Sequence, residues 1–456
     1  MSSPLRSRSR LRRRELLLAA GTAATACAGC IGRVDDGATT PHPDPEPVES
    51  AFDLSVEHDI ESWDRYDPDW TAPETSPLDA TFDVEPIIEG LEIPWDLEFA
   101  ADGTCFISER VGRISRYEAG ELDAVTEPDA VIDHATSIEA GEEGGWWEAG
   151  GEGGLLGIAL HPNYPDVPVL YGFYTYETDT LRNRLSYFDL SGDDPEETVV
   201  IDAIPGNDYH NGSRLAFGPR NYLWVTTGDA GEGELAADPN SLAGKVLRLE
   251  PDGTAPDDNP DVGDPRVYSY GHRNPQTMTF LPDGTPIVTE HGPSARDEVI
   301  ALAAGGDHGW PTVRSGGGDD EYGRYEDHDG VTPPIVNTGS SDVWAPSGGA
   351  FYTGDALSSL RNRLVIGGLG SQTLRSVTLY RGAAADIGGS RYDDEWLHPD
   401  YEAVVHELFE DELGRIRHVE QGPDGVLYAI TSNRDGRATD PFPTSGDDRL
   451  VRIVEA

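Results

Sequence analysis

A histidine and an aspartate stand near the two ends of one stretch, NDYHNGSRLAFGPRNYLWVTTGDAG, which covers residues 207–231. Two apolar runs within it flank the turn-forming residues Gly218–Asn221, a pattern that predicts a β-hairpin. Because a hairpin returns the chain, His210 and Asp229 would meet at its open end. A carboxylate that orients a histidine ring makes it a general base, although each residue alone is equally typical of a turn.

The same hairpin unit recurs along the chain from residue 83 onward, where no long helical period is found. Its copies begin about 60 to 70 residues apart, which is the size of one propeller blade. They cover residues 97–110, 157–176, 215–229, 278–292, 349–368 and 419–433. We therefore predict an all-β fold, a six-bladed β-propeller of four-stranded antiparallel blades, with the terminal strand Arg449–Val454 helping to close the ring. A two-sheet sandwich is the alternative, but it does not require such a six-fold repeat.

Polar residues lie just before the first strand or just after the second strand of four of these hairpins. Both positions fall at the blade end opposite the turn, so these residues would gather at one mouth of the ring. They are Glu152, His210, Arg214, Asp229, Arg273, Asn274, His291, Gly292, Pro293, Asp297, Arg415, Arg417 and Asn433. Guanidinium groups hold carboxylates in a bidentate manner, which predicts an anionic ligand. The alternative for Arg415 and Arg417 is a solvated strand face paired with Asp411 or Glu412.

The charge of the chain limits its partners. Its 84 acidic and 33 basic residues give a formal net charge of -51, and Lys245 is its single lysine. Such an acidic composition favours solubility in concentrated salt, where repulsion between carboxylates is screened, and the alternative is a basic partner. No basic stripe occurs after the first residues, so we expect no nucleic-acid binding.

The N-terminus has the composition of a targeting segment. Arg12–Arg14 precede a short apolar run, a twin-arginine pattern that predicts export of the folded protein. The run ends at Ala28-Gly29-Cys30, which resembles a lipobox with Cys30 as the lipidated residue, although Cys27 is a second candidate.

These features divide the chain into three predicted parts. They are a signal peptide (1–30), an acidic, proline-rich disordered linker (31–80) and the propeller (81–456). We expect a protein anchored by lipid to the outer face of the cytoplasmic membrane, whereas a cleaved, soluble secreted form is the alternative. Cys105 lies in a strand-like run and is expected to be a buried, inert thiol.

Several motifs resemble one known family. PWDLEFAADG, EGGLLGIALHPNY, HNGSRLAFGP, LAGKVLRLEPDGT, YGHRNPQ, EHGPSARDEV and GRIRHVEQGPDG occur in order over nearly the whole mature chain. They are similar to motifs of the soluble glucose/sorbosone dehydrogenases, the PQQ-dependent aldose sugar dehydrogenases. The resemblance implies a six-bladed propeller, and the acidic composition indicates a haloarchaeal-type member.

The resemblance also implies roles for individual residues. His210 would be the base that takes the proton of the anomeric hydroxyl, and Asp229 would orient it. Arg273 and Asn274 would contact the quinone of PQQ, with Arg273 polarising a carbonyl beside the carbon that accepts hydride. Further roles are implied for PQQ carboxylate ligands (Arg415, Arg417), for Ca²⁺ ligands through carbonyl oxygens (Gly292, Pro293) and for the substrate side (Glu152, His291, Asp297).

The resulting hypothesis is an aldose dehydrogenase that uses PQQ and Ca²⁺ to form a lactone and passes electrons to an external acceptor. Two departures bear on it, because Gly370 replaces a frequent Lys or Arg that contacts PQQ, and Tyr209 stands where an acid can occur. Gly370 favours an alternative, a non-catalytic propeller that binds a glycan or a protein at the same mouth. A Ca²⁺-dependent propeller hydrolase is a third hypothesis, which would require several carboxylate or Asn ligands.

Overall fold

Short apolar runs separated by turn residues form antiparallel sheets throughout residues 45–132 and 151–455, which the computed structural model describes. The predicted signal peptide, Cys27, Cys30 and the first part of the predicted linker lie outside these described residues. Among the described residues, no helix has the length and apolarity needed to cross a membrane.

Six sheets form the blades of a propeller. Blade 1 consists of Pro94–Phe99, Cys105–Glu109, Arg113–Glu118 and Glu121–Thr126. Blade 2 consists of Leu155–Leu160, Val169–Glu177, Leu181–Asp189 and Glu196–Pro205. Blade 3 consists of Gly212–Phe217, Leu223–Thr227, Lys245–Leu249 and Val267–Tyr270. Blade 4 consists of Thr279–Phe280, Pro286–Glu290, Glu298–Ala301 and Val336–Asn337.

The last two blades depart from the pattern of four strands that follow one another along the chain. Blade 5 consists of Pro346–Tyr352, Arg363–Gly368, Leu374–Tyr380 and Glu402–Leu408, with Ser390–Tyr392 added as a fifth strand at its edge. Blade 6 consists of Ile416–Gln421, Leu427–Thr431, Arg449–Glu455 and the N-terminal strand Phe82–Glu89. The predicted six-bladed, all-β fold is confirmed, and the fifth strand of blade 5 is an addition to it.

Each predicted hairpin forms the first two strands of its blade. The first strands contact one another in turn from blade 1 to blade 3 and from blade 4 to blade 6, and side chains of blades 3 and 4 pack in one core cluster. The first strand of blade 6 also contacts the first strand of blade 1, so the ring is closed. Closure depends on the antiparallel pairing of Phe82–Glu89 with Arg449–Glu455. The C-terminal strand, predicted to help close the ring, pairs with the N-terminal strand of the domain.

The described helices are short, and one insertion is long. The α-helix Gly233–Ala237 follows the second strand of blade 3, and 3-10 helices cover Ile60–Ser62, Pro77–Asp79 and Tyr325–Asp327. Between the last two strands of blade 4, residues 302–335 form an insertion that contains the parallel strands Val313–Ser315 and Gly323–Arg324. Trp310 lies in this insertion.

Residues 45–80 lie along the blades, where we expected part of a disordered linker. Leu54 and Trp70 are 6% and 5% exposed, and the Trp70 ring meets the Phe351 ring edge-on at 5.2 Å. His58 stacks on Tyr222 at 4.2 Å. Apolar and aromatic side chains thus anchor this acidic segment to the propeller. The acidic, proline-rich composition does not indicate this packing.

The blades are held together by apolar side chains between their faces. One core cluster joins Trp95 of blade 1 with Tyr171 and Leu185 of blade 2 and with Leu223 of blade 3. Cys105 is buried as expected, and burial raises the pKa of its thiol. Burial of this apolar surface is the main source of stability for such a fold.

We expect Trp70→Ala to lower the free energy of unfolding by about 3–5 kcal/mol, because it removes a buried aromatic ring that fastens residues 45–80 to blade 5. The measurement is denaturant unfolding in concentrated KCl. Leu78→Ala is the control, since Leu78 is 56% exposed in the same segment and should change stability little. Equal midpoints for the wild type and Trp70→Ala would contradict the packing of this segment.

Candidate functional site

The blade 3 hairpin brings His210 and Asp229 together. The His210 Nδ1 atom lies 2.8 Å from Asp229 Oδ1, and the two side chains are 14% and 2% exposed. The backbone amide of Ala230 donates to the His210 carbonyl at 3.1 Å, which closes the open end of the hairpin. Gly228 is required here, because a Cβ at this position would collide with the His210 carbonyl. The predicted juxtaposition is therefore present.

Both oxygens of the Asp229 carboxylate are used. Oδ1 also accepts from the Gly231 amide at 2.7 Å, and Oδ2 accepts from Trp310 Nε1 at 2.7 Å. Because the carboxylate is an acceptor, the His210 Nδ1 atom carries a proton, and Nε2 is the ring nitrogen that can take one up. This arrangement suits a general base.

Arg273 and Asn274 lie beside this pair, at the entrance to blade 4. The Asp229 amide donates to the Arg273 carbonyl at 2.8 Å, and the Gly212 amide donates to Asn274 Oδ1 at 3.1 Å. Arg273 Nη1 donates to the His291 carbonyl at 3.2 Å, while its buried Nε has no hydrogen-bond partner among the described residues. Burial lowers the pKa of Arg273, so a bound anion would stabilise its charge.

Blade 6 contributes two arginines that share one carboxylate. Arg415 Nη2 lies 2.8 Å from Asp435 Oδ2, and Arg417 Nη2 lies 3.7 Å from the same oxygen. Both arginines are buried, so the alternative of a solvated face paired with Asp411 or Glu412 is wrong. Burial and the neighbouring Arg415 lower the pKa of Arg417 to about 10, although Asp435 acts in the opposite direction. One carboxylate between two guanidinium groups leaves a net positive charge at this point.

Glu152 adjoins the base from the blade 2 side. Its Oε2 accepts from the His210 amide at 3.1 Å, and its Oε1 lies 2.8 Å from Arg437 Nη1. Burial alone would raise the pKa of Glu152, but the Arg437 charge and the His210 amide lower it to about 2. Glu152 is thus a charged group that holds the backbone of His210.

The loop after the second strand of blade 4 carries the other predicted residues. Asp297 accepts from the Gly292 amide at 2.8 Å and from the amides of Trp344 and Ala345 at 2.7 and 2.8 Å. Its carboxylate therefore closes this loop and ties it to blade 5. The neighbouring Pro293 carbonyl accepts from the Ala295 amide at 2.8 Å, and His291 Nε2 donates to the Pro346 carbonyl at 2.9 Å.

Gly370 is exposed, and its amide donates to the Trp344 carbonyl at 3.1 Å. The neighbouring arginine, Arg375, pairs with Glu407 at 2.5 Å and lies over the Trp344 ring at 4.4 Å. The charge of Arg375 is therefore engaged within blade 5. Blade 4 brings Arg273 to the mouth, and blade 6 brings Arg415 and Arg417.

Sequence reasoning missed three residues of this site. Asp435 follows the sixth hairpin by only a few residues, so its position was a usable signal. Trp310 lies in the blade 4 insertion, far along the chain from Asp229, and no pattern indicated their contact. Lys245 was conspicuous as the single lysine, yet its role depends on a loop that the sequence does not define.

Lys245 supports the loop that carries Asp229. Its Nζ donates to the carbonyls of Leu235, Ala236 and Ala243 at 2.8, 2.9 and 2.6 Å, and the side chain is buried. The adjacent Gly244 amide donates to the Gly228 carbonyl at 2.7 Å. A compact ammonium can direct three donors around one nitrogen, whereas the planar guanidinium fork cannot. This explains why an arginine-rich chain has a lysine here.

A known family and several known proteins are similar to this chain. A model of the Glucose/Sorbosone dehydrogenase family matches residues 91–440. An aldose sugar dehydrogenase of Escherichia coli is 29% identical over 386 residues, which cover 80% of this chain and 93% of that protein. The structure of the PQQ-bound aldose sugar dehydrogenase of Streptomyces coelicolor is 30% identical, with a TM-score of 0.64 over 83% of this chain and 99% of that one.

A third relative matches over a shorter region. Quinoprotein glucose dehydrogenase B of Acinetobacter calcoaceticus is 31% identical over 267 residues, covering 51% of this chain. The match spans about half the length of that relative, at 53%.

We expect Lys245→Arg to destabilise the protein as much as Lys245→Met, by about 1–3 kcal/mol, because both leave buried carbonyls without a donor. Unfolding in denaturant measures the effect. Arg361→Lys is the control, since Arg361 is 55% exposed. If Lys245→Arg were as stable as the wild type, the geometric requirement for an ammonium would be refuted.

Proposed function

Because the chain belongs to the glucose/sorbosone dehydrogenase family, we propose that it oxidises the anomeric carbon of an aldose sugar to a lactone, with PQQ as the hydride acceptor. The observation that carries this proposal is the His210–Asp229 pair at a mouth that buried guanidinium groups of two other blades also line. Electrons would then pass from the reduced cofactor to an external acceptor.

His210 would act as the base. Its Nε2 would take the proton of the anomeric hydroxyl, while Nδ1 remains bonded to Asp229. The Asp229 carboxylate would stabilise the resulting imidazolium and keep the ring oriented. Glu152, which is charged and holds the His210 backbone, lies where it would also face the sugar.

The residues at the mouth fit an anionic cofactor. Arg415 and Arg417 share the single carboxylate of Asp435, so carboxylates of PQQ would balance their remaining charge. The buried Nε atoms of Arg273 and Arg417 have no partner among the described residues and could donate to such a ligand. When bound, PQQ supplies a quinone that accepts hydride from the sugar, and Arg273 would polarise its carbonyl.

Calcium is the second cofactor in the proposal. The carbonyl oxygens of Gly292 and Pro293 are hard ligands of the kind that Ca²⁺ prefers. No group of three or more His, Cys, Asp or Glu within residues 45–132 and 151–455 is placed to hold a metal ion. A Ca²⁺ ion here would therefore rely on carbonyl oxygens and on oxygens of the cofactor. This ligand set does not suit a Ca²⁺-dependent hydrolase, which would require several carboxylate or Asn ligands.

The proposed setting of the enzyme follows from the sequence. The twin-arginine pattern and Cys30 support export and lipid anchoring at the outer face of the cytoplasmic membrane. The net charge of -51 supports function in concentrated salt. Anchoring would keep the enzyme close to its electron acceptor.

We expect the purified domain to retain PQQ after desalting when Ca²⁺ is present and to reduce a dye with at least one of a panel of aldoses. Chelation of Ca²⁺ before reconstitution should lower this activity. His210→Ala should lower kcat by about 10²- to 10⁴-fold, because the general base is lost. Dye reduction and PQQ absorbance in concentrated KCl are the two measurements.

The two measurements separate the alternatives. Failure to retain PQQ would overturn the dehydrogenase proposal and favour the propeller that binds a glycan or protein without catalysis. Retained PQQ with full activity in His210→Ala would overturn the assigned base while leaving the cofactor assignment intact.

We expect Arg417→Ala to weaken PQQ binding by about 5- to 150-fold, which corresponds to the loss of about 1–3 kcal/mol from one charged hydrogen-bonding partner. Titration of the apoprotein with PQQ measures the dissociation constant. Arg375→Ala is the comparison, because the charge of Arg375 is engaged by Glu407, and its dissociation constant should stay within about twofold of the wild type. Equal losses in the two variants would contradict the assignment of Arg417 to the cofactor.

A further inference from the structure

We propose that Trp310 is a positioning residue that links the His210–Asp229 pair to Arg273. This inference rests on the proposed function, since it concerns the base and the arginine of the same reaction. It assigns a role to the blade 4 insertion, which the hairpin repeat does not account for.

The first contact is a hydrogen bond to the base pair. Trp310 Nε1 donates to Asp229 Oδ2 at 2.7 Å. The opposite oxygen, Oδ1, accepts from His210 Nδ1 at 2.8 Å and from the Gly231 amide at 2.7 Å. With donors on both oxygens, the carboxylate cannot rotate without losing a bond, so the His210 ring is held in one orientation.

The second contact is with the arginine. The Arg273 guanidinium lies 5.5 Å from the centre of the Trp310 ring, within the range of a cation–π interaction. Arg273 is also joined to the pair through its carbonyl, which accepts from the Asp229 amide at 2.8 Å. One indole ring therefore contacts both the carboxylate that orients the base and the cation beside it.

The surrounding backbone makes room for this ring and fixes it. The Trp310 amide donates to the Gly271 carbonyl at 3.0 Å, only two residues before Arg273. A Cβ at Gly233 would lie 2.7 Å from Pro311 and 3.1 Å from Trp310 Nε1, so the α-helix approaches closely because this residue is glycine. On its other side, the ring meets Tyr322 at 5.9 Å.

The hydrogen bond has a consequence for the proton that His210 shares with Asp229. The indole N–H draws negative charge from the carboxylate, so loss of this donor should strengthen the hydrogen bond from His210 Nδ1 to Asp229 Oδ1. The other groups that face the pair are Glu152 with Arg437 on the blade 2 side, Arg273 with Glu290 on the blade 4 side, and the Tyr209 ring, which meets the His210 ring at 4.7 Å. Trp310→Phe leaves all of these in place.

The test compares three variants of the whole domain. Trp310→Phe keeps a ring over Arg273 but removes the donor, and Trp310→Leu removes both contacts. Trp396→Phe is the matched control, because it makes the same indole-to-phenyl change at a buried Nε1 that has no partner among the described residues. The first readout is the NMR chemical shift of the His210 Nδ1 proton in the apoprotein, with the signal assigned by its absence in His210→Gln.

In Trp310→Phe we expect the signal of the His210 Nδ1 proton to move downfield, because its hydrogen bond to Asp229 becomes stronger. The affinity for PQQ should change by less than about twofold in Trp310→Phe and fall by about 2- to 5-fold in Trp310→Leu, where the contact with Arg273 is also lost. Trp396→Phe should match the wild type in every readout.

An unchanged Nδ1 proton signal of His210 in Trp310→Phe, with thermal stability like that of Trp396→Phe, would overturn this inference. This NMR measurement needs neither sugar nor PQQ. A protein that shows the shift but does not bind PQQ would therefore refute the proposed function and leave the positioning role standing.

Discussion

The pairing of Phe82–Glu89 with Arg449–Glu455 is the constraint on which the rest of the molecule depends. It fixes the two ends of the domain in one sheet, so the first strands of all blades must face a common axis. Polar residues that follow or precede those strands then converge, although they are separated by hundreds of positions in the chain. The mouth is a consequence of closure, because no single blade contains both the base and its neighbouring cations.

Two carboxylates that each accept three hydrogen bonds fix the orientation of groups at the site. Asp229 accepts from a histidine, a backbone amide and an indole, and Asp297 accepts from three backbone amides. Fixed carboxylates of this kind set the orientation of the groups around them before any ligand binds, which avoids reorganisation during the reaction. The arginines are the opposite case, since Arg415 and Arg417 share Asp435, and the buried Nε atoms of Arg273 and Arg417 lack partners among the described residues. The protein thus supplies orientation, and in the proposed function a ligand would balance the charge.

Much of this arrangement could be predicted from local patterns. Alternating strands and turn residues recur at blade length, and position within a hairpin decides which end a residue occupies, so His210 and Asp229 could be paired from the sequence. Trp310 could not be, because it reaches Asp229 through an insertion whose path depends on tertiary contacts. Residues 45–80 show the same limit, since a few apolar side chains such as Trp70 override an acidic, proline-rich composition. Asp435 closely follows the sixth hairpin, but the sequence assigns Arg415 and Arg417 to an anionic ligand, or alternatively to a solvated face with Asp411 or Glu412. It therefore gives no signal that these arginines share a buried internal partner.

A net charge of -51 and a site for an anionic ligand are compatible because the two act over different distances. At about 1 M salt the Debye length is about 3 Å, so exposed carboxylates hardly influence a ligand at the mouth. Arg415 and Arg417 are 7% and 6% exposed, and buried pairs are screened far less. The local field at the mouth is therefore set by the nearby guanidinium groups together with the carboxylates of Glu152, Asp229 and Asp435. Concentrated salt would remove the repulsion that the surface exerts on an anion, while the buried contacts that hold an anion in the proposed function would persist. The acidic surface is therefore compatible with the proposed anionic cofactor where the long-range part of the field is suppressed.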